Sequence, residues 1–342
     1  MEFSWTALRK ALATTPPGVA VCTIVEKHGS VPRGVGTRML VLPDGEIHGT
    51  IGGGIGEHEI IQQARQAIAD GGSRLLETSL AGEIELNSAA ICGGRFLTLI
   101  GYWQGAADRT LAAAIDTALE AGRQPVLFEL TAAGGGENWG RIFFDPETGT
   151  LLTAGDPPEP RRLVQEWTGS EATGYLKLAG CRVMATRLQP PPRMIIFGGG
   201  HLAVPLVEMA AWCGFAPTVI DDRPEFADPR RFPRASRVLA APMDDVRELL
   251  APGPTTYYVL ITREHRHDDL LLRQLLGTSY AYLGMIGSRR RTAKVKERLV
   301  KDGYDAAEVA AVHAPIGLPI KAQTPEEIAI SIMAEIIAVR NS

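Results

Sequence analysis

Two glycine runs, Gly52-Gly53-Gly54 and Gly198-Gly199-Gly200, have the plainest chemical use in this chain. Consecutive glycines at a helix entrance turn backbone N–H groups toward one point, a nest that holds a phosphate or another anion. The second run belongs to Gly198-Gly199-Gly200-His201-Leu202-Ala203, a G-x-G-x-x-A turn, and Asp221 stands 21 residues beyond Gly200. That is where a dinucleotide-binding turn is followed by the acid that bonds a ribose hydroxyl. A dinucleotide, another phosphorylated ligand and a purely structural turn all fit the spacing. Two features depart from the usual pattern: Pro205 near the first helical turn, and Arg223-Pro224 directly after Asp221-Asp222.

Other groups add charge or reactivity. Gly287-Ser288 leads into Arg289, Arg290 and Arg291, with Lys294 and Lys296 soon after. Each cation in a first helical turn opposes the helix dipole by roughly 0.3 to 1 kcal/mol, a mismatch that an anion relieves, although long arginines can also splay into solvent. Thr262-Arg263-Glu264-His265-Arg266-His267-Asp268 offers a His-x-His-Asp run suited to metal ligation or proton transfer, but no second cluster has ligand spacing, and Asp268 reads equally well as a helix N-terminal residue. Gly29-Ser30-Val31-Pro32-Arg33-Gly34 precedes a strand and Gly49 to Glu57 precedes a helix, with Arg33 and Arg38 as added positive charge. Cys92 stands before Gly93-Gly94. An approachable thiolate there suits a soft metal, sulfur transfer or redox chemistry, whereas most lone cysteines are buried and inert.

The elements that must position these residues divide at Gln189-Pro190-Pro191-Pro192-Arg193, a run that favours extended backbone. We expect one domain over 1–188, a linker over 189–193 and a second domain over 194–342. Before the linker, strand-like runs (Val19 to Val25, Thr37 to Leu42, Phe96 to Gly101, Val126 to Leu130) mix with helical patterns at Glu57 to Ala69 and Leu111 to Ala121, and Pro43-Asp44-Gly45-Glu46 reads as a hairpin turn. This half is expected to be α+β. After the linker, short apolar strands (194–197, 217–221, 257–261, 282–286) alternate with helical segments to Cys213, near Asp244 to Leu250 and near Asp268 to Leu276. Such alternation implies a Rossmann-like α/β domain with a parallel sheet. Thr324-Pro325-Glu326-Glu327 supplies a capping box for a last helix.

Composition narrows the classes. Lys plus Arg is 35 against Asp plus Glu 39, so no global electrostatic footprint points to nucleic acid or an anionic membrane. Apolar residues are 45% and charged residues 22%, an ordinary globular mix, but the 37 glycines exceed the roughly 24 that about 7% usage would give. No apolar run is long enough to span a bilayer, and Met1 to Leu12 lacks the order of a signal peptide, so a cytoplasmic protein is expected. Cysteines at 22, 92, 181 and 213 have no CxxC spacing.

Taken together, Gly29-Ser30-x-Pro32, the Gly52-Gly53-Gly54-x-x-Glu57 loop, Cys92-Gly93-Gly94, the Gly198 turn with His201, Asp221 to Ala227, Gly284-x-Ile286-Gly287-Ser288-Arg289, Pro315-Ile316-Gly317 and Thr324 to Ala329 resemble the XdhC/CoxI family of xanthine dehydrogenase accessory proteins. The resemblance implies an XdhC/CoxI domain followed by a Rossmann-like domain, usually in a homodimer. It also implies a chaperone more than an enzyme: one that binds molybdenum cofactor, protects its sulfurated form and passes it to a xanthine dehydrogenase-type molybdenum hydroxylase with help from a cysteine desulfurase. On that view the ligand residues are Gly29, Ser30, Arg33, Arg38, Gly52, Gly53, Gly54, Glu57, Cys92, Gly93 and Gly94 in the first domain. In the second they are Gly198, Gly200, His201, Asp221, Asp222, Arg223, Thr262, His265, Gly287, Ser288 and Arg289. Many relatives carry cysteine where this chain has Ile55, which leaves Cys92 as the motif thiol for contact with molybdenum. The rival classes are an NAD(P)-dependent oxidoreductase using the Rossmann crevice and a scaffold that only recognises the target enzyme.

Overall fold

The computed structural model describes residues 3–80, 94–131, 140–167, 173–250, 252–263 and 265–342, without the side chains of Ile55, His265 and Arg266. Cys92 and Gly93 lie outside the described residues, and His265 is described in its backbone alone. The chain forms two compact units, Met1–Pro190 and Pro191–Ser342.

The first unit contains two five-stranded antiparallel sheets. One is built from β1 (Val19–His28), β2 (Arg38–Val41), β3 (Ile47–Gly49), β4 (Arg74–Ser79) and β5 (Arg95–Trp103), in the order β3-β2-β1-β5-β4. Helix α1 (Trp5–Thr14) precedes it and α2 (Gly54–Asp70) joins β3 to β4. After α3 (Gly105–Glu120) the second sheet follows: β6 (Val126–Thr131), β7 (Gly140–Asp145), β8 (Thr150–Gly155), α4 (Pro160–Trp167), β9 (Gly174–Leu178) and β10 (Cys181–Arg187), in the order β8-β7-β6-β10-β9. Among the described residues, element sequence and strand order are the same in both halves, so the unit is one α-βββ-α-ββ topology used twice. The period-2 alternation of each central strand divides its side chains between two cores. Val19 and Val21 of β1 share a core with Leu127 of β6 and with α1 and α3, whereas Ala20, Cys22 and Ile24 face α2, and Val126 and Phe128 face α4. Burial beneath α2 pushes the Cys22 thiol far up, which makes it inert.

Strand register identifies equivalent residues. Arg38 lies opposite Thr23 as Arg141 lies opposite Glu129, and Gly101 lies opposite Val21 as Thr186 lies opposite Leu127. Each arginine crosses to the other copy. Arg38 Nη2 donates to Glu129 at 3.1 Å and to Thr186 Oγ1 at 2.9 Å, while Arg141 Nη2 donates to Tyr102 O at 2.7 Å. A Cβ on Gly101 would lie 3.0 Å from Arg141 Nη2, so the glycine makes room for the guanidinium.

The second unit has the expected Rossmann-like architecture. β11 (Arg193–Phe197), α5 (Ala203–Trp212), β12 (Ala216–Asp221), β13 (Arg237–Ala240), β14 (Thr256–Leu260), α6 (His265–Leu275) and β15 (Tyr282–Met285) form a parallel sheet in the order β13-β12-β11-β14-β15. Then come α7 (Arg289–Lys301), α8 (Ala306–Ala311) and α9 (Pro325–Arg340), the last opened by the Thr324–Glu327 capping box. Pro205 falls within the first turn of α5, where N–H groups have no intrahelical acceptor, so it does no harm. The helix expected near Asp244 to Leu250 is only a 3-10 turn at Arg247–Leu249. Pro242 and Pro252 leave it no room to extend. Glu335 of α9 accepts from Tyr282 Oη at 3.0 Å and pairs with His313 Nδ1 at 2.7 Å, which holds the Pro315–Gly317 segment beside β15.

Candidate functional site

In the first unit the glycine loops converge at the entrance of α2. A Cβ on Gly94 would lie 2.8 Å from Val31 Cγ1 and 2.9 Å from His28 O, and one on Gly52 would lie 3.1 Å from Pro32 Cβ. The Gly29–Arg33 loop is thus gripped between the end of the Cys92-Gly93-Gly94 motif and the triple glycine. Glu57 closes the loop before α2: its Oε2 accepts from Thr50 Oγ1 at 2.5 Å, Ile51 N at 3.0 Å and Gly53 N at 3.1 Å. The chain's own carboxylate therefore fills part of the anion nest that the glycines create. Gly29, Ser30, Arg33, Gly53 and Gly54 remain exposed around it. A Cβ on Gly53 or Gly54 would meet nothing within 4 Å, so the space beside both glycines is open, although the Gly53 N–H is already held by Glu57. Arg38 does not join this rim. Its guanidinium is buried on Glu129 and Thr186, which corrects its assignment as a ligand group.

In the second unit the sheet order places a topological switch point between β11 and β14, where ligands of open α/β sheets bind. Gly198 (φ 110°) sits there against the end of β14, and a Cβ on it would lie 2.6 Å from Ile261 O. Gly199 presses on Phe226 O in the same way. Asp221 turns inward: it accepts from Gly199 N at 2.7 Å, from Arg223 N at 3.0 Å, and from the Arg223 guanidinium at 2.9 and 3.0 Å, with its side chain 2% exposed. Burial pushes its carboxyl up, but the bonds from Arg223 and Gly199 outweigh this and hold it below the ordinary value. The ribose role expected of Asp221 is thereby corrected, because both oxygens are used within the chain. Arg223 lies over the Phe226 ring at 3.7 Å, and Arg231, which the sequence reading missed, donates to Gly199 O at 2.6 Å and Phe226 O at 3.0 Å. The signal for this clamp was the density of arginines (Arg223, Arg230, Arg231) around Phe226 and Phe232.

Beside the turn, Thr262 Oγ1 donates to Asp268 at 2.5 Å, and Arg291 forms an ion pair with the other oxygen. Burial pushes the Asp268 carboxyl up to about 6 even though Thr262, Arg291 and His267 all act to lower it. Ser288 caps α7 as expected, accepting from Arg291 N at 3.3 Å, while His201, Asp222 and Arg289 are exposed. Among the described residues no group of three or more His, Cys, Asp or Glu could hold a metal ion, and no helix is long and apolar enough to cross a membrane.

A glycine-looped antiparallel unit followed by a Rossmann unit with an internally closed glycine turn defines a class that known proteins share. Residues 194–336 match the XdhC Rossmann domain and residues 15–79 match the XdhC and CoxI family. The chain belongs to that family. It is 34% identical over 154 residues to a probable xanthine dehydrogenase component of Bacillus subtilis (strain 168), covering 45% of this chain and 44% of that one. The match thus spans under half of the relative's length. It is 24% identical over 323 residues to the molybdenum cofactor insertion chaperone PaoD of Escherichia coli (strain K12), covering 94% and 84% of the two chains. A crystal structure described as a xanthine dehydrogenase from Bacillus halodurans superposes with a TM-score of 0.81 at 26% identity, covering 99% of this chain and 96% of that one.

Proposed function

We propose that the chain is an accessory protein of molybdenum hydroxylase maturation. It binds molybdenum cofactor at the α2 entrance, protects the sulfurated form and delivers it to a xanthine dehydrogenase-type enzyme, with sulfur supplied by a cysteine desulfurase and the chain acting as a homodimer without catalysing a reaction. The observation that carries this reading is the packing of the Gly29–Arg33 loop against Gly52 and the buried Gly94, which brings exposed Gly29, Ser30, Arg33, Gly53 and Gly54 to one rim. Likeness to PaoD over 94% of the chain supports it. The cofactor is a pterin bearing a dithiolene and a phosphate. Arg33 and the first N–H groups of α2 suit the phosphate, and the Cys92 thiolate suits molybdenum or its terminal sulfur.

Anaerobic calorimetry with purified cofactor is expected to give saturable binding that Arg33→Ala weakens. Absence of binding by the unaltered chain would end the proposal. Cys92→Ser is expected to keep its thermal midpoint and lose cofactor transfer to the apo-enzyme, and undiminished transfer would remove the thiolate from the site. In the second unit, the Gly198 turn supports binding of a phosphate group, tested by titration with NAD, NADP and nucleoside phosphates. The inward Asp221 weighs against the oxidoreductase alternative.

A further inference from the structure

Helix α7 concentrates charge of the opposite sign to the rest of the chain. It carries seven Arg and Lys (Arg289, Arg290, Arg291, Lys294, Lys296, Arg298, Lys301) against Glu297, a local charge of 7 − 1 = +6. The whole chain is −4, so the remainder is −4 − 6 = −10. Along α7 runs an open cleft of about 640 Å3, lined by Ser288, Arg290, Arg291, Lys294, Arg298 and Asp269. Asp268 neutralises Arg291, and Asp269 lies 2.6 Å from Arg298. Arg290 and Lys294 are exposed and have no acidic partner among the described residues. At a rise of 1.5 Å per residue, the stretch from Arg290 to Arg298 is a cationic stripe of about 12 Å.

We propose that this face of the second unit docks an acidic segment of a partner protein. A bilayer surface fits poorly, because Val295 and Leu299 are buried in the core and Val300 is the one large apolar side chain that α7 exposes, too little for a face to insert. A long nucleic acid fits poorly too, because the −10 remainder repels an extended polyanion and the cleft has no aromatic lining on which bases stack. A short acidic stretch engages the stripe without meeting the acidic remainder, and such complementarity sets encounter rate and orientation. The proposal goes beyond the cofactor reading and does not rest on it.

Fluorescence anisotropy with a labelled oligo-glutamate peptide tests it. At low salt the peptide is expected to bind saturably, and affinity should fall about tenfold or more once the Debye length is about 8 Å or less. The double variant Arg290→Glu/Lys294→Glu should weaken binding by at least about tenfold while keeping its circular dichroism and thermal midpoint, since both side chains are exposed. Arg109→Glu, exposed in the first unit, should change nothing. No binding at low salt, or equal binding by the double variant, overturns the proposal. Displacement of the peptide by duplex DNA or anionic vesicles at lower charge concentration overturns it as well, and would assign the face to that polyanion.

Discussion

The entrances to α2 and α4 occupy the same place in two copies of one topology, yet their chemistry is opposite. The first runs through Gly52-Gly53-Gly54, where the Gly52 and Gly53 N–H groups bond Thr50 and Glu57 and the exposed Gly54 opens α2. The second runs through Gly155-Asp156-Pro157-Pro158-Glu159-Pro160, in which three prolines have no N–H to offer. Glu57 folds back onto its loop, whereas Glu159 pairs with exposed Arg162 at 3.0 Å. A shared fold therefore does not imply a shared site. Backbone donors decide which copy can hold an anion, and the arginines that join the copies are common to both.

The largest effects should fall on what the copies share. Arg38→Met is expected to cost about 3 to 5 kcal/mol in urea unfolding, because Glu129 is left buried and uncompensated, and Arg141→Met should cost a similar amount through Asp108. A cost under about 1 kcal/mol for either would break the equivalence. Next comes Gly94→Ala, expected to cost about 1 to 3 kcal/mol by overpacking against Val31 and the His28 carbonyl. The position eight residues before Arg187, as Gly94 is eight before Tyr102, is already Ala179, so Ala179→Gly should not reproduce the effect. Glu57→Gln keeps shape but replaces a charged acceptor, so about 1 to 2 kcal/mol should be lost together with the set of the loop, read by thermal melts and by cofactor titration. Smallest of all, Glu159→Gln is expected to leave both midpoint and cofactor binding unchanged, and a change in binding would mean that the second entrance is also a site.

The alternating second unit was legible because parallel strands covered on both faces are continuous apolar runs. β13 was missed because Arg237-Val238-Leu239-Ala240 is a short, half-exposed edge. The doubled topology of the first unit was harder to read. Its one visible trace is Arg38-Met39-Leu40-Val41-Leu42-Pro43-Asp44 set beside Arg141-Ile142-Phe143-Phe144-Asp145-Pro146-Glu147. The glycines of the rim could be read because a nest needs small residues, and the structure brings those it describes together. Arg38 could not be assigned from its type. Its acceptor Glu129 lies 91 residues away, and only the fold decides whether a guanidinium meets a ligand or a distant carboxylate. Asp221 misled for a related reason: spacing locates an acid at a strand end and leaves the direction of its side chain open.

The crossed arginines also bear on history. In a chain holding one copy, Arg38 would lack Glu129 or Arg141 would lack the Tyr102 carbonyl, and the arrangement would be completed only by pairing with a second molecule. The first unit is in this sense a homodimer written into a single polypeptide. With the halves tethered, a change in one is not repeated in the other, so one entrance can carry proline where its sister carries glycine.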